Sequence, residues 1–292
     1  MSVSSSFQKL ISRIEPSASE LASAAQHANT IKTRLKASFR LKKLMVIGSY
    51  SRKTHIGGSS DIDVFAVLAR DEMRWGGNYV NPATALDNLR KDLETRYPYT
   101  TIYKDVHAIV VDFSGTRSHV DVVPGFFSGM TSQNWPLYSM PNGAAGWMGT
   151  CPELHNAYIK QKDDASGGKL RRSAQLMKFW RECRSPKVPL SSFHIEMLLA
   201  ANGVCQGIKS YADCMTETFQ LLAQRECQAL RDPLGIAGNI FATRSYQQRE
   251  TTLRSIIYSR DHAKAAVRAE QYGNVSEAKR QWDIVFNGYF PE

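Results

Sequence analysis

The sequence contains no long run of apolar residues, and this absence excludes an integral membrane protein built on helices. No window approaches the roughly 18 uninterrupted apolar residues that a spanning helix needs. A signal peptide has a continuous apolar core, and the first residues, MSVSSSFQKLISRIEPS, lack one. We therefore expect a cytoplasmic protein with no membrane partner.

Cysteine is scarce, and its arrangement argues against a disulfide framework or a structural metal. The cysteines are odd in number and form no CxxC pair: Cys151, Cys183, Cys205, Cys214 and Cys227. Free cysteines usually pack as small hydrophobes. Cys151 and His155 could form half of a zinc site, but no second half has a suitable spacing. We expect reduced thiols and no structural zinc.

Internal repeats and low-complexity linkers are also missing, so the chain reads as an ordinary globular protein. It has 292 residues, of which 42% are hydrophobic and 22% charged. Lys and Arg outnumber Asp and Glu by 37 to 27, which gives a formal net charge of +10. Such a surface favours an anionic ligand, but it does not distinguish a triphosphate from a polymer.

The hydrophobic patterning predicts a helix, then a small mixed sheet, then a helical C-terminal half. Ser17 and Glu20 form a capping box that opens a long helix to about residue 42. Further predicted elements are strands at 44–47, 61–69, 106–113 and 119–123, a turn at 114–116, and helices at 81–97, 169–184, 191–204, 211–230 and 245–272. We predict two domains, 1–150 and 151–292.

Two acidic residues within an apolar segment are the strongest indication of a functional site. Asp61 and Asp63 lie in GSYSRKTHIGGSSDIDVF, next to residues typical of a buried strand. Alternation puts them on one face of that strand, where they repel each other unless a positive charge joins them. Mg²⁺ prefers oxygen ligands and usually takes one or two carboxylates together with substrate phosphate.

A site with two metal ions generally needs a third carboxylate, which a neighbouring antiparallel strand could supply. Asp121, in SHVDVVPGF, is the favoured candidate because valines surround it. Asp112 is the competitor, although it lies at a strand end, where an aspartate often caps or faces water.

The dipeptide Gly48–Ser49 follows a predicted strand and could hold a phosphate. Glycine permits close backbone approach, while backbone N–H groups and the serine hydroxyl can donate to phosphate oxygens. Alone it is a weak signal, since such a pair is usually an ordinary turn. Arg52, Lys53 and His55 either neutralise phosphate or are ordinary loop charges.

These motifs resemble a known superfamily. GSYSRKTHIGGSSDIDVFAVL together with HVDVVPGF is similar to the signature of the DNA polymerase β-like nucleotidyltransferases. GWMGTCPELHN, LRRSAQLMKFWRE and SSFHIEMLLA resemble segments of the branch that holds cyclic GMP–AMP synthase, 2′-5′ oligoadenylate synthase and the bacterial CD-NTases. The resemblance implies an α+β fold: a polymerase β-like palm, with a mixed sheet, flanking helices and a long N-terminal helix, plus a C-terminal helical domain.

The resemblance also implies roles for residues of the motif. Asp61, Asp63 and Asp121 match the metal-binding catalytic triad, and Asp121 would be the acid nearest the attacking hydroxyl. Gly48 and Ser49 match the pair that holds the donor triphosphate.

Three residues of the C-terminal half match nucleotide contacts of the family. Lys178 matches a lysine that contacts donor phosphates, Ser192 a phosphate-binding serine, and Phe193 an aromatic that stacks on the donor base. The alternatives from the residues alone are a solvated helical lysine at Lys178, an N-cap at Ser192 and a core residue at Phe193.

The implied activity is nucleotidyl transfer with two Mg²⁺ ions, for which Mn²⁺ could substitute. ATP, and other NTPs, would be joined into a cyclic di- or trinucleotide second messenger with release of pyrophosphate, in bacterial antiphage (CBASS-type) signalling. A separate effector protein would receive the product, and a regulatory protein or an RNA would activate the enzyme. The alternatives are a linear oligoadenylate synthase or a nucleotidyltransferase that acts on a tRNA or a protein. The zinc-binding insertion of the animal enzyme has no counterpart in this sequence.

Overall fold

The structure, a computed structural model, describes residues 2–58, 61–113 and 119–292, so the predicted turn at 114–116 lies outside the described residues. Contacts divide the chain into two compact units. The sheet unit is Pro16–Lys53 and Gly57–Ala157, and the helical unit is Met1–Glu15, Thr54–Ile56 and Tyr158–Glu292. Within the described ranges, no helix has both the length and the apolar character needed to cross a membrane.

The elements are numbered along the chain. The helices are α1 (Val3–Ile14), α2 (Ala18–Ser38), α3 (Gly48–Arg52), α4 (Pro82–Arg96), α5 (Pro152–Ala165), α6 (Lys169–Glu182), α7 (Ser192–Asn202), α8 (Tyr211–Gln224), α9 (Tyr246–Gln271) and α10 (Val275–Val285). The strands are β1 (Leu41–Val46), β2 (Ile62–Leu68), β3 (Arg74–Trp75), β4 (Asn78–Tyr79), β5 (Thr101–Asp105), β6 (Ala108–Asp112), β7 (Val120–Met130), β8 (Pro136–Pro141), β9 (Trp147–Thr150), β10 (Leu230–Arg231) and β11 (Asn239–Ile240).

The sheet unit is built on a seven-stranded mixed sheet. Five strands follow the order β1-β2-β7-β6-β5, and β8 and β9 continue from the far end of β7. The pair β2–β7 is parallel, while β1–β2, β6–β7, β5–β6, β7–β8 and β8–β9 are antiparallel. The expectation that an antiparallel neighbour of β2 carries the third acid was therefore wrong. The chain crosses over through α4 and the β5–β6 hairpin before β7, so β7 runs in the same direction as β2.

Helix α2 begins where the sequence predicts. The Ser17 hydroxyl accepts a hydrogen bond from the Glu20 N–H at 3.2 Å, and a Glu20 carboxylate oxygen accepts one from the Ser17 N–H at 2.7 Å. This reciprocal pairing satisfies two of the amide groups that a helix start leaves free. Ile31 and Leu35 of α2 then pack, fully buried, on one face of the sheet.

The two faces of the sheet differ in what covers them. Ile62, Val64 and Ala66 of β2 belong to the core that α2 and α4 cover. The alternate residues Phe65 and Val67 belong to a smaller cluster on the other face. Because side chains alternate along a strand, Asp63 lies on the face of this smaller cluster.

The helical unit includes α1, a helix that the sequence analysis did not predict. Val3, Phe7, Leu10, Ile11 and Ile14 recur at helical spacing and are buried against the helical unit's core. The Phe7 ring meets the Trp282 ring edge-on, with centroids 4.9 Å apart. This burial explains why residues 1–15 cluster with the helical unit. The domain ranges 1–150 and 151–292 remain a prediction.

Candidate active site

Asp63 and Asp121 lie side by side on adjacent strands. The register pairs Asp63 of β2 with Asp121 of β7, one residue after the pair Ile62 and Val120. Neighbouring strands are about 4.8 Å apart, and paired residues share a face. The parallel arrangement places both carboxylates near the amino-terminal ends of their strands, so they meet at one edge of the sheet.

Asp61 stands at the same edge, immediately before β2. Its carboxylate accepts a long hydrogen bond of 3.5 Å from the His119 N–H, just before β7 begins. Burial, followed by the negative charges of Asp63, Asp61 and Asp105, raises the pKa of the Asp121 carboxyl to about 7. The causes are desolvation and like-charge repulsion, which both disfavour ionisation. The edge is therefore a concentrated acidic cluster.

Gly48 lies against the Asp63 carboxylate. A Cβ atom added at Gly48 would stand 1.8 Å from Oδ2 of Asp63, and the φ angle of Gly48 is +64°. Only glycine tolerates both the contact and this backbone conformation without strain. The Ile47 N–H also donates to the Asp63 carbonyl at 2.8 Å. These contacts bring the Gly48–Ser49 turn directly beside the acidic cluster.

Asp112, the competing third acid, has a different partner. One of its carboxylate oxygens lies 3.3 Å from Nδ1 of His119. It ends β6, where its register partner is Thr101. The charges that raise the pKa of Asp121 are those of Asp63, Asp61 and Asp105, with Asp112 not among them.

Sequence reasoning missed two residues near the cluster, Asp105 and Tyr103, because it did not predict β5. Tyr103 pairs with Val110, which in turn pairs with Asp121, so Tyr103 lies on the face of the acids. Its side chain is 45% exposed, and partial desolvation together with the charge of Asp121 raises the pKa of its hydroxyl. The run of Thr101, Ile102 and Tyr103, three residue types that favour strands, was the signal that could have revealed this strand.

The chemistry of the cluster suits a divalent cation completed by substrate oxygens. Across residues 2–58, 61–113 and 119–292, no three His, Cys, Asp or Glu side chains are grouped so as to hold a metal ion. Asp63 and Asp121 nevertheless provide two carboxylates in register, with Asp61 adding its charge. Mg²⁺ sites of this kind use one or two carboxylates and take further ligands from substrate phosphates and water. The donor set fits such an ion.

Lys178 occupies a buried position on α6 in the helical unit. Its ammonium donates to the Thr54 carbonyl at 3.0 Å, to the Thr54 hydroxyl at 2.9 Å and to a Glu196 carboxylate oxygen at 2.5 Å. The Lys178 and Glu196 side chains are 4% and 0% exposed. The alternative of a solvated lysine was therefore wrong, while the predicted phosphate contact stays a prediction.

Ser192 and Phe193 open helix α7, but Ser192 does not cap it. The N-cap is Ser191, whose hydroxyl accepts from the His194 N–H at 3.3 Å. Ser192 is half-buried in the first turn, and Phe193 packs partly buried against the helical unit's core. Their predicted contacts with the donor nucleotide stay predictions.

The positively charged loop after α3 divides into two environments. Lys53 ends α3 with a φ angle of 56°, while Thr54 and His55 are buried in the helical unit. The His55 carbonyl accepts a hydrogen bond of 2.8 Å from the Gln175 side-chain amide. Burial makes His55 part of the packing of that unit.

The fold described above is the polymerase β-like nucleotidyltransferase fold that the sequence resemblance implies. The model of the Second Messenger Oligonucleotide or Dinucleotide Synthetase domain (SMODS) matches residues 1–163 of this chain. The chain belongs to this family. The resemblance to the CD-NTases is thereby confirmed.

Individual relatives agree with this assignment. The cyclic AMP-AMP-AMP synthase of Escherichia coli (strain MS 115-1) is 27% identical over 198 residues, which cover 64% of this chain and 59% of that protein. Two solved structures of E. coli MS115-1 CdnC are 18% identical and cover 99% of this chain and 98% of theirs. They are CdnC with ATP, at a TM-score of 0.77, and the CdnC:HORMA-deltaN complex, at 0.75. At this identity the likeness of the structures concerns the fold.

Proposed function

We propose that this chain is a nucleotidyltransferase that joins NTPs into a cyclic di- or trinucleotide and releases pyrophosphate. One observation carries the proposal: Asp63 and Asp121 face each other in register beside the Gly48 turn, with Asp61 at the same edge. The SMODS match and the similarity to a cyclic AMP-AMP-AMP synthase support the same reaction.

The residues of the cluster would divide the work as follows. Asp61, Asp63 and Asp121 would hold two Mg²⁺ ions, or Mn²⁺ in their place, together with oxygen atoms of the substrate phosphates. The ions would supply positive charge that lowers the pKa of the attacking hydroxyl and neutralises the leaving pyrophosphate. The Gly48 and Ser49 backbone holds the donor triphosphate beside Asp63.

In the chemical step, a ribose hydroxyl of the acceptor nucleotide attacks the α-phosphorus of the donor NTP. The new P–O bond forms as the bond to the bridging α–β oxygen breaks, and pyrophosphate leaves. Asp121 would accept the hydroxyl proton on a carboxylate oxygen. The last transfer takes place within the linear intermediate and closes the ring, again with release of pyrophosphate; it is the second transfer for a cyclic dinucleotide and the third for a cyclic trinucleotide.

The biological setting is part of the proposal. E. coli MS115-1 CdnC is similar to this chain and has been solved in a complex with HORMA-deltaN. We infer by analogy that a regulatory protein binds this chain, that a separate effector receives the product, and that the system works in the cytoplasm in antiphage (CBASS-type) signalling.

The test is incubation of the purified chain with all four NTPs and Mg²⁺ or Mn²⁺, followed by phosphatase treatment and mass spectrometry. We expect a phosphatase-resistant cyclic product that Asp63→Asn and Asp121→Asn both abolish. Asp112→Asn is the matched control, since it removes a nearby strand carboxylate that pairs with His119. Product formation that survives in folded Asp63→Asn and Asp121→Asn would overturn the proposal.

The alternative within the enzyme class is a linear oligoadenylate synthase or a transferase for a tRNA or protein acceptor. The same assay separates them. Linear products lose their 5′-phosphates to phosphatase, and a transferase gives no product until an acceptor is added.

A further inference from the structure

Glu20 uses the two oxygens of its carboxylate for different bonds. Oε2 belongs to the capping box of α2, where it accepts from the Ser17 N–H at 2.7 Å and from the Ser17 hydroxyl at 2.8 Å. Oε1 accepts a hydrogen bond of 2.7 Å from the Gly58 N–H. Gly58 is 38 residues away in sequence, so this second bond joins the start of α2 to a distant loop of the same unit.

Gly58 stands close to the acidic edge of the sheet. The chain has just returned to the sheet unit at this point, and Asp61 follows three residues later. Beyond Asp61, the Ile62 N–H donates to the His119 carbonyl at 3.0 Å. Asp61 is therefore held from two directions: by the sheet after it, and by the bond between Glu20 and Gly58 before it.

Tyr50 lies near both Glu20 and Asp61. It is half-buried on α3, directly after Ser49. Burial, followed by the charges of Glu20 and Asp61, raises the pKa of its hydroxyl. The start of α2, the Gly48–Ser49 turn and Asp61 consequently meet in one small region of the sheet unit.

The acidic cluster needs such a hold more at Asp61 than at its other members. Asp63 and Asp121 lie within paired strands, whereas Asp61 precedes β2. The like charges of the cluster repel one another, which favours movement of the least restrained carboxylate away from the others. Bonds that orient metal ligands from behind typically change metal affinity or activity by about 10- to 100-fold.

We propose that Glu20 is a positioning residue for the acidic cluster. Its bond to the Gly58 N–H fixes the approach to β2, so that Asp61 stands beside Asp63 and Asp121 before an ion binds. Both oxygens of Glu20 already accept hydrogen bonds, and the carboxylate lies in the first turn of α2, where the helix start stabilises its charge. Glu20 therefore acts through the loop. The inference rests on the proposed function, because it treats Asp61 as part of that function's metal site.

The chain itself suggests a variant that separates the two bonds of Glu20. Helix α8 has a capping box in which Asp takes the place of Glu, formed by Ser210 and Asp213. Glu20→Asp should therefore keep the cap of α2. Its side chain is one methylene shorter, by ~1.5 Å, and no longer reaches Gly58. Ser17→Ala is the matched control, since it removes the capping hydroxyl and leaves the carboxylate that binds Gly58.

The first measurement is hydrogen exchange of the Gly58 amide, followed by mass spectrometry with fragmentation to single residues. EDTA is present, so the result does not depend on metal or on activity. We expect exchange at least about tenfold faster in Glu20→Asp than in the unmodified chain, since the amide loses its acceptor. Ser17→Ala should exchange like the unmodified chain. A thermal melt followed by circular dichroism checks that each variant is folded.

The second measurement is the dependence of product formation on Mg²⁺. In Glu20→Asp, the Mg²⁺ concentration for half-maximal product formation should rise about tenfold, while the rate at saturating Mg²⁺ changes by less than about threefold. Ser17→Ala should lower the melting temperature, because a cap is lost, and keep the Mg²⁺ dependence. A merely structural role of Glu20 would lower stability without moving the Mg²⁺ dependence.

The inference is overturned if Glu20→Asp leaves the exchange of Gly58 or the Mg²⁺ dependence unchanged, or if Ser17→Ala shifts them as much. A different result would overturn the proposed function: no product from the unmodified chain at any Mg²⁺ or Mn²⁺ concentration. In that case Mn²⁺ binding, followed by electron paramagnetic resonance, takes the place of the Mg²⁺ titration, and equal Mn²⁺ affinity of Glu20→Asp and the unmodified chain overturns the inference.

Discussion

The acidic cluster of the sheet unit and the Lys178–Glu196 pair of the helical unit handle charge in opposite ways. In the pair, one ammonium meets a carboxylate, a hydroxyl and a carbonyl, all of them buried. In the cluster, carboxylates stand beside further carboxylates, and their repulsion raises the pKa of Asp121. A buried charge that is paired with an opposite charge is typical of a residue with a structural role. Several like charges close together are typical of a binding site.

The largest expected effect comes from breaking the cluster. Asp63→Asn should lower product formation by at least about 10³-fold, as removal of a group that acts in a catalytic unit does. The same change should leave the melting temperature unchanged or raise it, because it removes one of several repelling charges. Mass spectrometry measures product formation, and a thermal melt measures the melting temperature. A large loss of stability would contradict this account of the cluster.

In contrast, breaking the buried Lys178–Glu196 pair should strongly lower the stability of the protein. Lys178→Met leaves the Glu196 carboxylate buried without its cation, and we expect a loss of about 3–5 kcal/mol in the free energy of unfolding. The double variant Lys178→Met/Glu196→Leu should recover most of that loss, since no lone charge remains. Urea denaturation measures both. If the double variant is no more stable than the single one, the charge pair is not the cause.

Gly48→Ala tests how closely the turn and the cluster are fitted. The new methyl group would collide with the Asp63 carboxylate, so product formation should fall at least about tenfold and stability by about 1–2 kcal/mol. Gly76→Ala is the matched control, because Gly76 also has a positive φ, of +57°, but has nothing within 4 Å of the added Cβ. If Gly48→Ala and Gly76→Ala lose the same activity, backbone strain causes the loss, and the collision with Asp63 does not.

The smallest effect is expected at an exposed ion pair. Lys160 and Asp164 are 2.5 Å apart on α5, with side chains 76% and 59% exposed. Lys160→Met should change the free energy of unfolding by less than about 0.5 kcal/mol, since water screens such pairs. Urea denaturation in parallel with Lys178→Met compares the two pairs directly. If Lys160→Met lowers the free energy of unfolding as much as Lys178→Met does, burial is not what distinguishes the two ion pairs.

The sequence predicts best what depends on neighbours along the chain. The start of α2 is specified by Ser17 and Glu20, which lie within one helical turn, and the structure has both capping hydrogen bonds. The fold class also followed from the sequence, because the motif GSYSRKTHIGGSSDIDVFAVL with HVDVVPGF resembles one superfamily closely.

Features that depend on distant pairing escaped prediction. The parallel direction of β7 results from the crossover, which no local pattern encodes. The surroundings of Lys178 depend on Thr54 and Glu196, which lie far from it in sequence. Helix α1 is a different case: its apolar spacing was present, but the serines near its start masked it.

The short segment Thr54–Ile56 has a consequence for how such a protein can be divided or recombined. The chain leaves the sheet unit after Lys53, contributes Thr54–Ile56 to the helical unit, and returns at Gly57. Residues 1–15 also belong to the helical unit, so no single cut in the gene separates the two units. A chimaera in which one half of the chain comes from a homologue would contain strands or helices without their own packing partners. We therefore expect recombination within this family to keep the two units together.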